Sequence, residues 1–143
     1  IGTDHAPHPL DEKDRPYAKA PSGFPSVDLL LPLTVAAADK HNVPIEDMLH
    51  AVTLAPANEF GLHKKGRLTV GADADLVIAD PQLTTEVDAA KLPSRSRWSP
   101  YDKQCLRAFP QQVYLHGALA FSNGEIVGEA HGQPLFDDKR IVS

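Results

Sequence analysis

Proline is concentrated in the first third of the chain. Of the 13 prolines in 143 residues, seven fall within the first 44 positions, at Pro7, Pro9, Pro16, Pro21, Pro25, Pro32 and Pro44. Proline lacks a backbone N–H and fixes φ, so it is excluded from helix interiors and central strands. We therefore expect residues 1–25 to form a long loop that follows a strand ending at Ile1-Gly2-Thr3. A structureless loop of this length is uncommon in a compact domain and is often functional.

Helical patterns follow the loop. Apolar residues recur with helical spacing from about Ser26 to His41, and Ser26 is a suitable N-cap. Pro32 interrupts this pattern, so we expect the helix to begin late or to kink there. A second helix is predicted to begin at Pro44, with a short continuation that ends at Gly61.

Beyond the helices the pattern changes to short strands. Residues 68–70 and 74–79 predict strands around a turn, and residues 81–110 predict irregular structure. A hairpin is predicted from 112 to 127, because its apolar runs are separated by His116-Gly117 and Asn123-Gly124. Asn-Gly is a strong hairpin signal.

Composition limits the partners of the chain. The net charge is −5 and the basic residues are scattered, which disfavours binding to nucleic acid. No apolar run approaches the roughly 20 residues of a membrane span, so no membrane partner is expected. The single cysteine, Cys105, has no partner for an internal disulfide and favours a reducing, cytoplasmic location.

One short segment carries candidate chemistry. Asp4-His5-Ala6-Pro7-His8 places one carboxylate and two imidazoles where a strand is predicted to end. An Asp can ligate a divalent metal and accept a proton from metal-bound water, and a His can ligate metal or hold an anion. A strand-end Asp-His pair is more often a turn device, so spacing alone leaves both interpretations open.

This segment resembles the last barrel-strand motif of dihydroorotases, which are cyclic-amide hydrolases. The resemblance begins at Thr3-Asp4-His5-Ala6-Pro7-His8 and continues through residues 11–13, 20–25, 29–33 and 56–62. Residues 66–77 resemble the β-sandwich signature of the amidohydrolase superfamily, and Trp98-Ser99-Pro100-Tyr101 resembles its return strands. Allantoinases and hydantoinases share the later blocks, whereas the first block favours dihydroorotase.

The resemblance implies an α/β fold. It identifies the chain as the C-terminal fragment of a metal-dependent hydrolase (β/α)8 TIM barrel with part of a small β-sandwich domain. Residues 1–62 would be the last strand end, loop and helices of the barrel, 63–128 the β-sandwich return segment, and 129–143 a tail. A barrel needs roughly 250 residues, and the family's other metal ligands are not found here. The chain alone is therefore expected to be inactive.

The resemblance also implies roles for individual residues. Such enzymes hold one or two zinc ions and interconvert dihydroorotate and N-carbamoyl-L-aspartate in pyrimidine biosynthesis. Asp4 matches the catalytic Asp that contacts the metal and moves a proton, and His8 matches the residue that binds the substrate carboxylate. Gly23 matches a loop position whose backbone contacts substrate. His5 is assigned a supporting role behind the groups that contact the metal.

Departures from the family pattern leave alternatives open. Lys103 and Ala108 stand where glycine is common, and Asp28 replaces a usual Glu. The alternative substrates are allantoin and hydantoins, and a third possibility is a non-catalytic dihydroorotase homologue with an assembly role. The partners implied are a small-molecule substrate, further copies in a homo-oligomer, and aspartate transcarbamoylase.

Overall fold

The computed structural model of the protein describes residues 1–130 and 132–135. Contacts divide these residues into two units. The first contains Ile1–Leu49 and Asp80–Phe109, and the second contains His50–Ala79 and the described residues from Pro110 onward. Each unit is thus built from two separated stretches of sequence. The boundaries predicted at residues 62 and 128 separate a barrel segment, a β-sandwich segment and a tail. These boundaries stay predictions.

The described residues contain both helices and strands, which makes the chain α/β. The helices are α1 (Leu10–Lys13), α2 (Leu30–His41), α3 (Ile45–Val52) and α4 (Leu54–Glu59), with 3-10 turns at Val27–Leu29 and Ala89–Lys91. The strands are β1 (Leu76–Ala79), β2 (Thr84–Glu86), β3 (Cys105–Arg107), β4 (Pro110–Leu115), β5 (Ala118–Ser122) and β6 (Glu125–Ile126). Within the described part of the chain, no helix is long and apolar enough to cross a lipid bilayer.

Pro32 determines how α2 begins. The chain passes through the 3-10 turn Val27–Leu29 before the helix proper begins at Leu30, so Pro32 lies in the first helical turn. A backbone N–H in that turn has no intrahelical partner, and the missing N–H of proline therefore costs no hydrogen bond. The predicted late start is confirmed. Asn42 ends the helix with φ of 52°, in the left-handed region that commonly terminates helices.

Ser26 precedes the 3-10 turn, but its side chain does not cap it. The Ser26 hydroxyl instead donates to the Thr3 carbonyl at 3.0 Å, and its backbone N–H donates to His5 Nδ1 at 2.9 Å. The predicted capping role was therefore wrong. Ser26 is buried and fastens the N-terminal segment to the entrance of α2.

The first unit also contains a small sheet that the sequence pattern did not predict. Strands β2 and β3 pair antiparallel, with Thr85 opposite Leu106. Both are only three residues long and largely polar, so they carry no alternating pattern. Their pairing places Val87 and Leu106 against Leu29 in the buried core of this unit. Partly buried side chains surround that core: Leu33, Ala36, Leu92, Tyr101 and Phe109.

The second unit contains an antiparallel sheet with strand order β1-β4-β5-β6. Two-residue turns join its last three strands, at His116-Gly117 with φ of 49° and 81° and at Asn123-Gly124 with φ of 51° and 93°. Positive φ at both central positions is the type I′ geometry that matches the twist of paired strands. The predicted hairpin is confirmed.

The strand predicted at residues 68–70 is absent from this unit. Leu68 and Val70 are exposed, and no described strand pairs with them. Apolar alternation predicts a strand only where a neighbouring strand covers it, and the described residues provide no such neighbour.

Candidate functional site

Asp4 stands where the extended N-terminal segment begins its contact with residues 24–26. Its φ is 48°, a left-handed backbone conformation that few residues other than glycine adopt, although Asp tolerates it better than most. Asp4 is exposed, and no described residue forms a hydrogen bond or ion pair with its carboxylate. Unusual backbone geometry clusters at functional sites. An exposed carboxylate held in this way is accessible to a ligand.

The side chain of His5 forms hydrogen bonds with the backbone of the loop. His5 forms an isolated parallel bridge with Phe24, and Nδ1 of its ring accepts hydrogen bonds from the backbone N–H groups of Ser26 at 2.9 Å and Val27 at 3.1 Å. Two donors directed at one nitrogen require that nitrogen to be unprotonated, so a neutral ring carries its proton on Nε2. Its Nδ1 is therefore committed to holding the loop.

His8 is half-buried at the start of α1. Its N–H donates to the Ala6 carbonyl at 2.9 Å, and its Nδ1 lies 3.4 Å from Glu12 Oε2 one helical turn later. The side chain is 37 % exposed. When the ring is protonated, Glu12 neutralises one side of it while Nε2–H remains able to donate to an anion.

Gly23 lies directly against the segment that carries Asp4 and His8. Its φ is 88°, and a Cβ added there would lie 2.5 Å from Ala6 Cβ. Next to it, Ala6 N–H donates to the Phe24 carbonyl at 3.1 Å. Only glycine fits both the backbone conformation and this close approach. The structure thus places Gly23 against Ala6, in the segment that also carries Asp4, His5 and His8.

Two residues that sequence reasoning missed fasten this cluster. Lys13 Nζ donates to the carbonyls of Pro21 and Gly23, at 2.6 and 2.9 Å. Trp98 Nε1 donates to the His8 carbonyl at 2.8 Å, and Lys13 Nζ lies 5.9 Å from the centre of the Trp98 ring. Trp98 is the only tryptophan of the chain, and this was the one feature of the sequence that could have singled it out. Its partner lies 90 positions away, and no local pattern predicts that contact.

The cluster does not by itself form a metal site. Among the described residues, no group of three or more His, Cys, Asp and Glu is placed to hold a metal ion. Asp4 can supply one oxygen ligand, whereas His5 Nδ1 is already occupied by backbone donors. Among the described residues, this cluster therefore offers a metal ion a single exposed carboxylate.

The second unit has its own charged cluster. Lys65 Nζ contacts Asp73 at 3.0 Å and also binds Asp75, whose other oxygen accepts the His116 N–H at 2.8 Å. The hydrogen bond to Asp75 raises the pKa of Lys65 above its ordinary value although burial opposes this. Burial would raise the pKa of Asp75, but the hydrogen bonds from Lys65 and His116 outweigh it and lower that pKa. Through these contacts, Asp75 connects Lys65 to the turn at His116 between β4 and β5.

Two open cavities, of about 350 and 400 Å³, lie beside this charged cluster. Both are lined by Leu62, Lys65 and His116. The predicted site residues line neither of them.

The sequence matches known proteins along most of its length. The profile of the amidohydrolase family matches residues 1–113. The chain belongs to the amidohydrolase family. It is 38 % identical over 128 residues to a dihydroorotase of Methanosarcina acetivorans, covering 88 % of this chain and 27 % of that protein. It is 41 % identical to a dihydroorotase of Methanosarcina mazei, with 88 % and 28 % covered.

Solved structures give the same fold. An L-hydantoinase (dihydropyrimidinase) from Arthrobacter aurescens superposes with a TM-score of 0.83 at 31 % identity. The match covers 90 % of this chain and 30 % of that one. The chain thus spans less than a third of the length of these relatives.

Proposed function

We propose that the protein carrying this chain is a dihydroorotase, which opens the ring amide of dihydroorotate to N-carbamoyl-L-aspartate and catalyses the reverse cyclisation. The observation that carries this proposal is the loop cluster, in which Gly23 packs against Ala6, between the exposed Asp4 and His8. The similarity to the Methanosarcina dihydroorotases favours this substrate over other cyclic amides. In this proposal residues 1–62 belong to a (β/α)8 barrel and residues 63–128 to a β-sandwich domain.

Asp4 is proposed to be the catalytic acid–base group and one ligand of the metal. Hydrolysis forms a C–O bond to water and breaks the ring C–N bond, so one proton must leave the attacking water and another must reach the departing nitrogen. A carboxylate beside both atoms can accept the first proton and deliver it to the nitrogen. No described residue competes for the Asp4 oxygens.

Zinc is the proposed cofactor. When bound, it polarises a carbonyl oxygen and lowers the pKa of a coordinated water. Within the described residues Asp4 is the proposed ligand, and His5 orients the backbone that carries Asp4 through its two N–H contacts. The Nε2–H of His5 remains as a donor for a neighbouring group.

His8 and Gly23 are proposed to bind substrate. Dihydroorotate carries a ring carboxylate, and His8 Nε2–H can donate to it while Glu12 balances the other side of the ring. No described residue accepts a hydrogen bond from the Gly23 N–H, which suits a backbone donor to substrate. Allantoin and hydantoin lack this carboxylate, so His8 would distinguish dihydroorotate from them.

The test compares substrates and variants in the complete gene product. We expect measurable ring opening of dihydroorotate, and a loss of on the order of a hundredfold or more in kcat for Asp4→Asn. Asp14→Asn is the matched control, because Asp14 is an exposed carboxylate in the same loop. Turnover of allantoin or a hydantoin but not of dihydroorotate would contradict the proposal. Absence of turnover on all three would favour the non-catalytic homologue.

A hydantoinase is the second candidate function, since the Arthrobacter L-hydantoinase superposes closely on the chain. His8→Asn separates the two. For a dihydroorotase, the change should raise KM for dihydroorotate about tenfold, because it removes a hydrogen bond to a charged group. For a hydantoinase, KM for the uncharged ring should change little.

Homo-oligomerisation, association with aspartate transcarbamoylase and a cytoplasmic location follow from the resemblance and the cysteine content. They stay predictions. Relatives of this family act on small molecules, and a small-molecule substrate is the partner that the loop cluster fits.

A further inference from the structure

We propose that Lys13 and Trp98 are positioning residues that clamp the substrate loop, fixing the backbone of Gly23 and His8 together. The proposal rests on the proposed function only for the identity of the ligand. Neither residue contacts the predicted catalytic carboxylate of Asp4. Each instead contacts the main chain at or beside a predicted substrate-binding position.

Lys13 closes one side of the loop. Its ammonium donates to the carbonyls of Pro21 and Gly23, which lie eight and ten residues further along the chain. The chain between Lys13 and Val27 contains no helix or described strand that would hold it in place, because α1 ends at Lys13 and the next element begins at Val27. A half-buried ammonium that donates to two carbonyls forms charge-assisted hydrogen bonds, which are stronger than neutral ones. Lys13 therefore determines where the backbone of Gly23 lies.

Trp98 closes the other side. Its indole N–H donates to the His8 carbonyl at 2.8 Å, from a segment 90 residues away in sequence. The same ring lies 5.9 Å from Lys13 Nζ, within the range of a cation–π contact. The Trp98 side chain thus contacts both the His8 carbonyl and the Lys13 ammonium, which in turn binds the Gly23 carbonyl.

Precise placement is the reason for such a clamp. Gly23 allows no side chain between itself and Ala6, and the Ala6–Phe24 hydrogen bond is a single contact. Without Lys13, the carbonyls of Pro21 and Gly23 would be free to rotate toward solvent. Lys13 and Trp98 contact the carbonyls of Pro21, Gly23 and His8 and not the Asp4 carboxylate, so the clamp acts on substrate binding rather than on proton transfer.

The test uses paired variants of the complete gene product. Lys13→Met keeps the length of the side chain but removes the donors, and Lys13→Arg restores them. Trp98→Phe keeps a ring but removes the indole N–H. Lys19→Met is the matched control, because Lys19 is an exposed lysine of the same loop.

We expect Lys13→Met and Trp98→Phe each to raise KM for dihydroorotate roughly tenfold while kcat falls less than about threefold. Lys13→Arg should regain most of the loss, and Lys19→Met should behave as wild type. Amide hydrogen exchange over residues 8–25 should become faster in both clamp variants. An unchanged KM together with unchanged exchange would overturn the proposal, as would an equal fall in kcat with no change in KM.

The hydrogen-exchange measurement distinguishes failure of the clamp proposal from failure of the proposed dihydroorotase function. If the wild-type protein does not open dihydroorotate, the proposed function fails. Faster exchange in Lys13→Met, but not in Lys19→Met, would then still support the clamp. Exchange unaltered by Lys13→Met would overturn the clamp whatever the substrate.

Discussion

Gly23 passes so close to Ala6 that a Cβ on Gly23 would lie 2.5 Å from the Ala6 Cβ. Its φ of 88° is also strained for any residue with a side chain. We predict that Gly23→Ala lowers the free energy of unfolding by roughly 2–4 kcal/mol, from overpacking and left-handed strain together. Urea unfolding of the complete gene product measures this loss.

A compensating change tests the cause. In the double variant Gly23→Ala with Ala6→Gly, the clash disappears and only the backbone strain remains, so about half of the lost stability should return. Ala6→Gly alone should cost no more than about 1 kcal/mol. A double variant no more stable than Gly23→Ala would show that the contact with Ala6 is not the cause.

The acceptor nitrogen of His5 leads to a second prediction. Ser26 is buried, so removing Nδ1 leaves its N–H without a partner, at a cost of about 1–3 kcal/mol. His5→Ala should show this loss in urea unfolding. His5→Asn places an amide oxygen close to the position of Nδ1 and should lose less than half as much. Equal losses for the two variants would contradict an acceptor role.

Local signals explain what the sequence predicted well. The type I′ turn at Asn123-Gly124 depends on two adjacent residues, and the late start of α2 depends on Pro32 alone. Both features are determined within a few residues.

Contacts between distant positions explain what was missed. The hydrogen bond between Trp98 and the His8 carbonyl joins positions 90 residues apart, and β2 pairs with β3 across the 18 residues that separate them. Ser26 has the residue type of an N-cap, but tertiary contacts with Thr3 and His5 use its polar groups instead. At Ser26, tertiary contacts thus overrode the capping propensity of serine.

Lys103 and Ala108 have backbone conformations that favour glycine. Their φ values are 66° and 63°, in the left-handed region. A side chain there costs about 1–2 kcal/mol, partly offset by the extra entropy of an unfolded glycine. We predict that Lys103→Gly stabilises the protein by up to about 1 kcal/mol in urea unfolding.

Lys103→Ala is the control for this prediction. It removes the same exposed ion pair with Glu86 but keeps the strained conformation, so it should bring no gain in stability. A gain as large as that of Lys103→Gly would attribute the effect to the lost ion pair or side chain rather than to the backbone.

The contact between Lys65 and Asp75 predicts a defined pH dependence. The pKa of Asp75 is lowered in the folded state, so its stabilising contribution is complete above the ordinary carboxyl value near 4 and is lost as pH falls through the folded pKa. The pKa of Lys65 is raised, so its contribution is complete below its ordinary value of about 10.4 and is lost as pH rises through the folded pKa.

Asp75→Asn should therefore destabilise the protein most between about pH 5 and 10, with the difference from wild type shrinking on both sides of that window. Asp73→Asn is the matched control. Asp73 contacts the same ammonium, but Asp75 also accepts the His116 N–H, so Asp73→Asn should cost less at every pH within the window. The measurement is urea unfolding of the three proteins across pH. A difference between wild type and Asp75→Asn that stays constant from pH 3 to pH 11 would show that the ion pair contributes nothing, and that packing at Asp75 accounts for the whole effect.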